Sequence, residues 1–513
     1  MSRTKVSSQK WPILLFTIGV FMAGLDNGII STALTTINES FGVSPAWGAW
    51  SITLYTLGIA ISVPIIGKFS DRYGRRRLFI IEIALFGIGS LLVALSPNFI
   101  FLLAARFIQA IGGGGIFIIG SSHILATLPK ERQGRALGIL GGMHGLSAVI
   151  GPNLGAIILS ITGSWQWMFL INIPIALFLI VFGFIKIPET KVGATKPLDF
   201  RGIVLLSAGI LAMMFGFTNM DSAANLAGLL DIRVILFIIF GIGILSLLIS
   251  HERELELRGG DPILSYSLLS KGQFQMTLFL GLLSGGFLAG IIFIPSYVQQ
   301  VLLIPVEKAG FWVTPLALAS GVGAGLGGFL TDKYGAVRTV VFSGVIGITG
   351  FLLFPFWVED VWTFALASII AGVGLGILLG APLNVLVGES AGDKNQGSAL
   401  GTLSLIRQIG LTLFPTLYAG FIAGGFNRVE PALQKNYSED VVAFKDVHED
   451  SSQEAYLQMM EQIKELPDPE LQTNMLQMIS HIIKAGYDQM FVISGILSLF
   501  VIIVGIQLLM KRD

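Results

Sequence analysis

The sequence predicts an all-α integral membrane protein that is built from two related six-helix bundles. Three observations predict this class: long apolar runs, connections that alternate between basic and uncharged, and a charged motif that occurs twice. The chain has 513 residues, of which 53% are hydrophobic and only 12% are charged, with a mean hydropathy of +0.78. A soluble globular protein carries about 25% charged residues, so the composition excludes that class.

About fourteen apolar runs are long enough to cross a bilayer, which takes about 20 residues of helix. Their approximate bounds are 11–33, 46–67, 77–95, 99–120, 135–159, 165–186, 202–219, 232–250, 274–298, 309–331, 338–357, 361–388, 397–423 and 487–510. The first run has no suitable cleavage site, so we expect a retained helix and no signal peptide. A merged or missed helix would change the count, and the run at 202–219 is the weakest.

The connections between the runs show which side of the membrane each one faces. Basic residues collect on one side, namely Arg3, Lys5, Lys10, Lys68 to Arg77, Lys130, Arg132, Arg135, Lys186, Lys191, Lys196 and Arg201. The opposite turns at 96–98 and 161–164 carry no charge. The positive-inside rule therefore predicts a multi-pass protein of the plasma (inner) membrane with both termini in the cytoplasm, and we expect a bacterial source.

A charged motif at Gly67–Arg77, which we call the cassette, separates the second and third runs. A weaker copy occupies Gly328–Gly335, at an offset of 332 − 71 = 261 residues. A second pair of landmarks, at 135–138 and 398–401, has nearly the same offset, 398 − 135 = 263. Two related halves that rock around a central site are typical of secondary transporters.

The shared offset divides the chain into three parts. We expect an N-terminal six-helix bundle at 1–190, a linker with two inserted transmembrane helices at 191–270, and a C-terminal six-helix bundle at 271–513. Segment 424–486 is expected to form an extracellular helical hairpin between the last two runs. A capping box at 451–454 and an N-cap at Asp468 indicate its helices. A self-packed cap and an element that contacts a partner or lipid both remain open for this hairpin.

Ionisable groups inside apolar runs are candidate functional residues, because a charge at the bilayer centre costs about 2.5–3.5 kcal/mol. Asp26 and Arg106 each lie about seven residues, or about 10 Å, from the predicted outer end of their runs. Equal depth predicts that they share one cavity. An acid that alternates between an arginine-paired and a protonated state suits proton coupling, whereas a permanent ion pair is the structural alternative. We expect Glu82 to reach the interface, and His144 either to form an interhelical hydrogen bond or to titrate.

Several function classes are excluded by the sequence. There is no cysteine, so the chain has no disulfide framework and no thiolate chemistry. No ATP-binding loop, metalloprotease motif or serine-hydrolase motif occurs, and the glycine run at 111–115 lies inside a spanning helix, where it favours close packing. The net charge of zero indicates no nucleic-acid partner. We therefore predict no enzymatic activity and no cofactor.

Five segments together resemble the major facilitator superfamily, and the resemblance covers nearly the whole chain. The cassette resembles the family signature between helices two and three, Arg106-x2-Gln109-x2-Gly112 that of helix four, and Gly151-Pro152-x2-Gly155 the antiporter signature of helix five. Segments 25–29 and 165–174 resemble marks of the fourteen-helix drug:proton antiporter branch. The chain departs from these patterns at Gly28, at Ala156 and in the second cassette, which lacks the full basic tail.

The resemblance implies a proton-coupled secondary antiporter that exports amphipathic, cationic drugs or toxic compounds and uses the proton gradient as its energy source. Its implied partners are small lipophilic substrates, protons and membrane lipids, and we expect a functional monomer. A dedicated exporter of an endogenous lipid, glycolipid or metabolite is the alternative. A non-transporting scaffold is a third interpretation, which the doubled cassette disfavours.

The candidate site residues fall into four groups. We expect proton coupling by Asp26 and Arg106, a substrate cavity that includes Met22, Asp26, Trp50, Tyr55, Gln109 and His144, a cytoplasmic gate at Gly67, Asp71, Arg72, Gly74, Arg75 and Asp332, and an antiporter hinge at Gly145, Gly151, Pro152 and Gly155. No metal ligand set is expected.

Overall fold

A computed structural model describes residues 10–190, 196–218, 231–392, 395–437, 460, 463 and 468–511. Within these ranges the chain is helical and contains no β-strand. Among the described residues, thirteen helices are long and apolar enough to cross a membrane, and a bent pair at 130–147 and 150–162 makes a fourteenth if it is counted as one span. The predicted all-α membrane fold is therefore confirmed, including its weakest run, which forms the helix Phe200–Thr218.

We number the membrane-crossing helices α1 to α14 in chain order. Their bounds are α1 Lys10–Phe41, α2 Trp50–Tyr73, α3 Arg75–Ala94, α4 Phe99–Gly114 continued by Ile116–Thr127, α5 Lys130–Thr162, α6 Trp167–Leu170 continued by Asn172–Lys186, α7 Phe200–Thr218, α8 Ile232–Leu257, α9 Gly272–Ile291 continued by Ile294–Gln300, α10 Thr314–Tyr334, α11 Ala336–Trp357, α12 Val361–Gly380 continued by Pro382–Ala391, α13 Gln396–Phe426 and α14 Pro469–Met510.

The two cassettes fold into the same tight turn. Gly74 separates α2 from α3 with φ = +98°, and Gly335 separates α10 from α11 with φ = +87°. Residues with a Cβ rarely adopt these angles, so glycine is required at both positions. The weaker copy therefore preserves the turn, although it has lost the basic tail.

Equivalent helices pack together in the two halves. The pairs α1–α5, α2–α4, α3–α4 and α3–α6 recur as α9–α13, α10–α12, α11–α12 and α11–α14. The halves meet through α5 against α10 and through α2 against α13, and these contacts also correspond to each other. Helices α7 and α8 pack mainly on one another, and α7 also contacts α2 and α13. We therefore propose the division into two bundles with a two-helix insert.

Helix α14 extends well beyond a bilayer. Its 42 residues would measure about 63 Å, twice the roughly 30 Å of a hydrocarbon core. The side chain of Asp468 accepts a hydrogen bond from the backbone N–H of Glu470 at 2.9 Å, so the predicted N-cap is confirmed.

The first turns of α14 bury their apolar side against the protein. Met475 and Ile479 belong to the main apolar core, together with Leu433 of the short helix Val429–Asn436. This packing favours a self-packed cap. The predicted capping box at 451–454 lies outside the described residues.

Candidate functional site

Asp71, at the end of α2, binds the beginning of a helix in the other half. Its Oδ1 accepts the backbone N–H of Gly397 at 3.0 Å, and its Oδ2 accepts that of Ser398 at 3.0 Å. Both amides lie in the first turn of α13, where free N–H groups and the helix dipole favour an anion. The carboxylate also pairs with Arg75 at 3.4 Å.

Asp332, at the end of α10, makes the corresponding contact in the reverse direction. Its Oδ1 accepts the N–H of Gly134 at 2.7 Å, and its Oδ2 accepts that of Arg135 at 3.0 Å. These residues lie near the start of α5. The acids differ by 332 − 71 = 261 positions and the amides by 397 − 134 = 263, so each half closes on the other with the same contact.

Glycines allow the backbones to approach at both seams. A Cβ on Gly67 would collide with the carbonyl oxygen of Gly397, and a Cβ on Gly328 would collide with that of Gly134. Because the obstructing atoms belong to backbone, no rotamer change would relieve the clash. The close contact between α2 and α13 therefore requires glycine at position 67.

The basic residues of the cassette bind acids that lie outside the motif. Asp261, which follows α8, pairs with Lys68 at 2.5 Å and with Arg72 at 3.2 Å. Glu189, which follows α6, accepts the backbone N–H of Arg76 at 3.3 Å. The sequence analysis missed both acids, although the surplus of positive charge in the cassette is a signal that partners must exist elsewhere.

Asp26 and Arg106 meet inside the N-terminal half. Nη1 of Arg106 lies 2.5 Å from Oδ2 of Asp26, and both side chains are 0% exposed. Gln109 donates from Nε2 to Oδ1 of Asp26 at 2.7 Å and accepts from the same guanidinium at 2.7 Å. The expected pairing by depth is thus what the structure shows, and hydrogen bonds join all three side chains.

A second layer of polar groups surrounds this cluster. Ser90 Oγ accepts from Gln109 at 2.8 Å and from Asn172 at 3.2 Å, and Asn172 also approaches Asp26 Oδ1 at 3.5 Å. The guanidinium of Arg106 lies 4.0 Å from the centre of the Tyr55 ring, an arrangement that favours the cation. Ser90 was missed by the sequence analysis, since a serine in an apolar helix gives no signal of its own.

The residues expected to line a substrate cavity divide into two groups. Met22, Asp26, Tyr55 and Gln109 are buried, whereas Trp50 is half-buried and His144 is exposed. In the described conformation, only Trp50 and His144 therefore reach open space. Met22 packs in the apolar core instead, so its contribution to a cavity remains a proposal for another conformation.

The predicted hinge coincides with a bend in α5. The helix turns by 41° between 130–147 and 150–162, directly before Pro152. Proline has no N–H to donate to the carbonyl four residues earlier, which permits such a bend. On one side of the bend Gly145 faces Gly321 of α10, and on the other side Gly151 and Gly155 lie against α1. The glycine contacts with the other half therefore lie before the bend, and those with α1 lie after it.

Glu82 does not reach the interface, so that expectation is wrong. Its side chain is fully buried, and its Oε2 accepts the backbone N–H of Gly115, at the interruption of α4, at 3.0 Å. Counting residues from a helix end gives depth but not direction, and Glu82 points inward.

Comparison with known proteins identifies the family. The model of the Major Facilitator Superfamily matches residues 16–415. The chain is 59% identical over 503 residues to the uncharacterized MFS-type transporter YfiU of Bacillus subtilis (strain 168), covering 97% of this chain and 96% of that protein. It is 31% identical over 422 residues to multidrug resistance protein 3 of the same organism, covering 81% and 80% respectively.

A solved structure shows the same fold at low identity. The MFS proton:xylose symporter XylE bound to 6-bromo-6-deoxy-D-glucose superposes with a TM-score of 0.54 at 14% identity, covering 85% of this chain and 97% of that one. The family model, the relatives and the fold therefore all indicate the same superfamily. The chain belongs to the major facilitator superfamily and is a membrane transporter, not an enzyme.

Proposed function

We propose that the protein is a proton-coupled antiporter that exports amphipathic compounds. The observation that carries this proposal is the Asp26–Arg106 pair, buried at 0% exposure with a separation of 2.5 Å. Protonation of Asp26 would remove the negative charge and leave the guanidinium without its partner. Breaking a buried pair costs about 3–5 kcal/mol, so the protonation state and the arrangement of the helices must change together.

The gate supplies the second element of an alternating mechanism. Asp71 and Asp332 close both seams at the end of the bundle that carries the cassettes. We place this end in the cytoplasm, on the basis of its basic residues. The described conformation would then face outward, and export would require both seams to open toward the cytoplasm.

The names of the relatives support drug export as the physiological role. Proteins named multidrug resistance protein 3 of Bacillus subtilis and multidrug resistance protein B homolog of Mycobacterium tuberculosis are 31% and 28% identical to the chain. We carry that role to this chain as a proposal. A dedicated exporter of one endogenous lipid or metabolite remains the second candidate, because α14 extends outside the membrane and could guide an exit.

Transport in inside-out membrane vesicles tests the proposal. A panel of a lipophilic cation, an amphipathic anion and a lipid would be followed with the pH gradient imposed and then collapsed. We expect gradient-dependent uptake of several amphipathic compounds, and its loss in Asp26→Asn. The matched control is Glu39→Gln, an exposed acid on the same helix, which should leave uptake unchanged. Equal gradient-dependent uptake by Asp26→Asn and wild type would contradict the proposal, and uptake of the lipid alone would favour the dedicated exporter.

A further inference from the structure

Arg407, in the middle of α13, is a cation that has no acidic partner in the part of the chain that the structure describes. Its Nε donates to Ser284 Oγ of α9 at 3.1 Å, and its second terminal nitrogen, Nη2, is buried without a hydrogen-bond partner among the described residues. No carboxylate of the described residues lies within ion-pair distance of Arg407. A guanidinium carries five N–H donors in a rigid fork, so donors here remain unused.

His144 occupies the corresponding position in the other half. The two residues differ by 407 − 144 = 263 positions, the offset that relates Gly138 of α5 to Gly401 of α13. The ring of His144 lies 6.4 Å from that of Phe117 and against Gly24 of α1, and it interacts electrostatically with Arg407. His144 is exposed and Arg407 is half-buried, and their electrostatic interaction joins a side chain of the N-terminal half to one of the C-terminal half.

Asp26 and Glu82, two buried acids of the N-terminal half, have other partners and are not available to pair with Arg407 or His144. Both oxygens of Asp26 are occupied by Arg106 and Gln109, and the side chain is sealed from solvent. The carboxyl of Glu82 is buried against Gly115. No acid of the described residues therefore neutralises Arg407, and a guanidinium in this situation repels a cation and attracts an anion.

We propose that Arg407 and His144 form a binding site for the anionic group of an amphipathic substrate: a carboxylate, sulfonate or phosphate. The planar guanidinium matches the geometry of these groups and can bind two of their oxygens at once. That the bound anion is a transported cargo rests on the proposed export function. The proposed cargo is therefore anionic, whereas the family resemblance implies a cationic one. The difference follows because Asp26, the acid that would attract a cation, is enclosed.

Equilibrium binding to the purified full-length protein tests this site without any proton gradient. The probes are 1-naphthalenesulfonate and 1-naphthylmethylammonium, which share a ring system and carry opposite charges, and affinities would be measured by titration calorimetry. We expect the sulfonate to bind wild type more tightly than the ammonium. Arg407→Gln should weaken sulfonate binding by about tenfold or more, the usual effect of losing a charged hydrogen bond.

Three further variants separate binding from folding and from bulk charge. Arg407→Lys keeps the charge and should retain part of the affinity, and His144→Gln should weaken it less than Arg407→Gln. Arg338→Gln removes an exposed arginine at the start of α11 and should change nothing. A short-chain phosphatidylglycerol, titrated in parallel, shows whether a lipid headgroup or a free anion is the tighter ligand.

The outcomes are distinct for the two proposals. Sulfonate binding that is unchanged in both Arg407→Gln and Arg407→Lys, or tighter binding of the ammonium to wild type, would overturn the anion site. Anion binding that depends on Arg407, in a protein that shows no proton-linked transport in vesicles, would overturn the export mechanism and leave the site intact.

Discussion

The two halves make matching contacts at their cassettes and differ at the centre. Asp71 and Asp332 cap equivalent helices with pairs of hydrogen bonds of 2.7–3.0 Å. In contrast, among the described residues a buried cluster like that around Arg106 occurs in the N-terminal half only. The N-caps Asn98 and Asp360 align α4 with α12 at an offset of 360 − 98 = 262.

That alignment shows which residues of the C-terminal half occupy the positions of the Arg106 cluster. Arg106 corresponds to Ser368 and Gln109 to Ala371, and both replacements are fully buried. The lone cation Arg407, in turn, stands where the N-terminal half has His144. The gate needs two equal contacts because both seams must close, whereas a single protonatable pair is sufficient for coupling. Under the mechanism that we propose, the N-terminal half handles the proton and both halves contribute to binding cargo.

The largest expected effect comes from breaking the cluster that only one half contains. Arg106→Gln leaves the Asp26 carboxylate without its cation and should lower the free energy of unfolding by about 3–5 kcal/mol. Thermal unfolding of the purified protein would show this as a lower midpoint. The matched variant Ser368→Ala removes a hydroxyl without a hydrogen-bond partner among the described residues and should change stability by less than about 1 kcal/mol. Equal effects of the two variants would contradict the assigned asymmetry.

The second prediction concerns the part of the molecule that the halves share. Asp71→Asn and Asp332→Asn each remove a charge from a helix N-terminus and should favour the open gate by about 1.5–3 kcal/mol, or about tenfold or more. The native chain has no cysteine, so Thr402→Cys, a buried position on α13, can report opening through its rate of alkylation. Both gate variants should accelerate labelling to a similar degree. Acceleration by only one of them would show that the seams are not equivalent.

The smallest expected effect comes from the linker. Asp261 contacts Lys68 and Arg72 but is 29% exposed, and partly exposed ion pairs contribute about 0.2–1 kcal/mol. Asp261→Asn should therefore accelerate alkylation of Thr402→Cys by about fivefold at most, and added salt should reduce the difference. An effect as large as that of Asp71→Asn would mean that the inserted helices take part in the gate directly.

The sequence predicted the parts of the fold that depend on local pattern. Apolar length located all fourteen helices, and the glycine turns of the cassettes followed from residue type alone. Asp26 and Arg106 could be paired because depth along a helix follows directly from residue count. Direction around a helix does not follow from that count, so the predicted interface position of Glu82 is wrong, and the cavity role of Met22 stays a prediction.

Long-range contacts account for what the sequence analysis missed. Asp261 and Glu189 reach the cassette only after the linker has folded back on α2, and Asn172 reaches Asp26 across the N-terminal half. The binding role that we propose for Arg407 depends on the absence of an acidic neighbour among the described residues. That information exists only once the helices are packed.

The most direct test of the account is proton movement in response to a cargo gradient. Purified protein would be reconstituted into liposomes that contain a pH-sensitive dye, and a gradient of 1-naphthalenesulfonate would be imposed. We predict proton flow opposite to the cargo in wild type, none in Asp26→Asn, and a need for higher cargo concentration in Arg407→Gln. Cargo movement without proton flow in wild type, or unchanged proton flow in Asp26→Asn, would contradict the central claim that the buried pair in the N-terminal half couples export to protons.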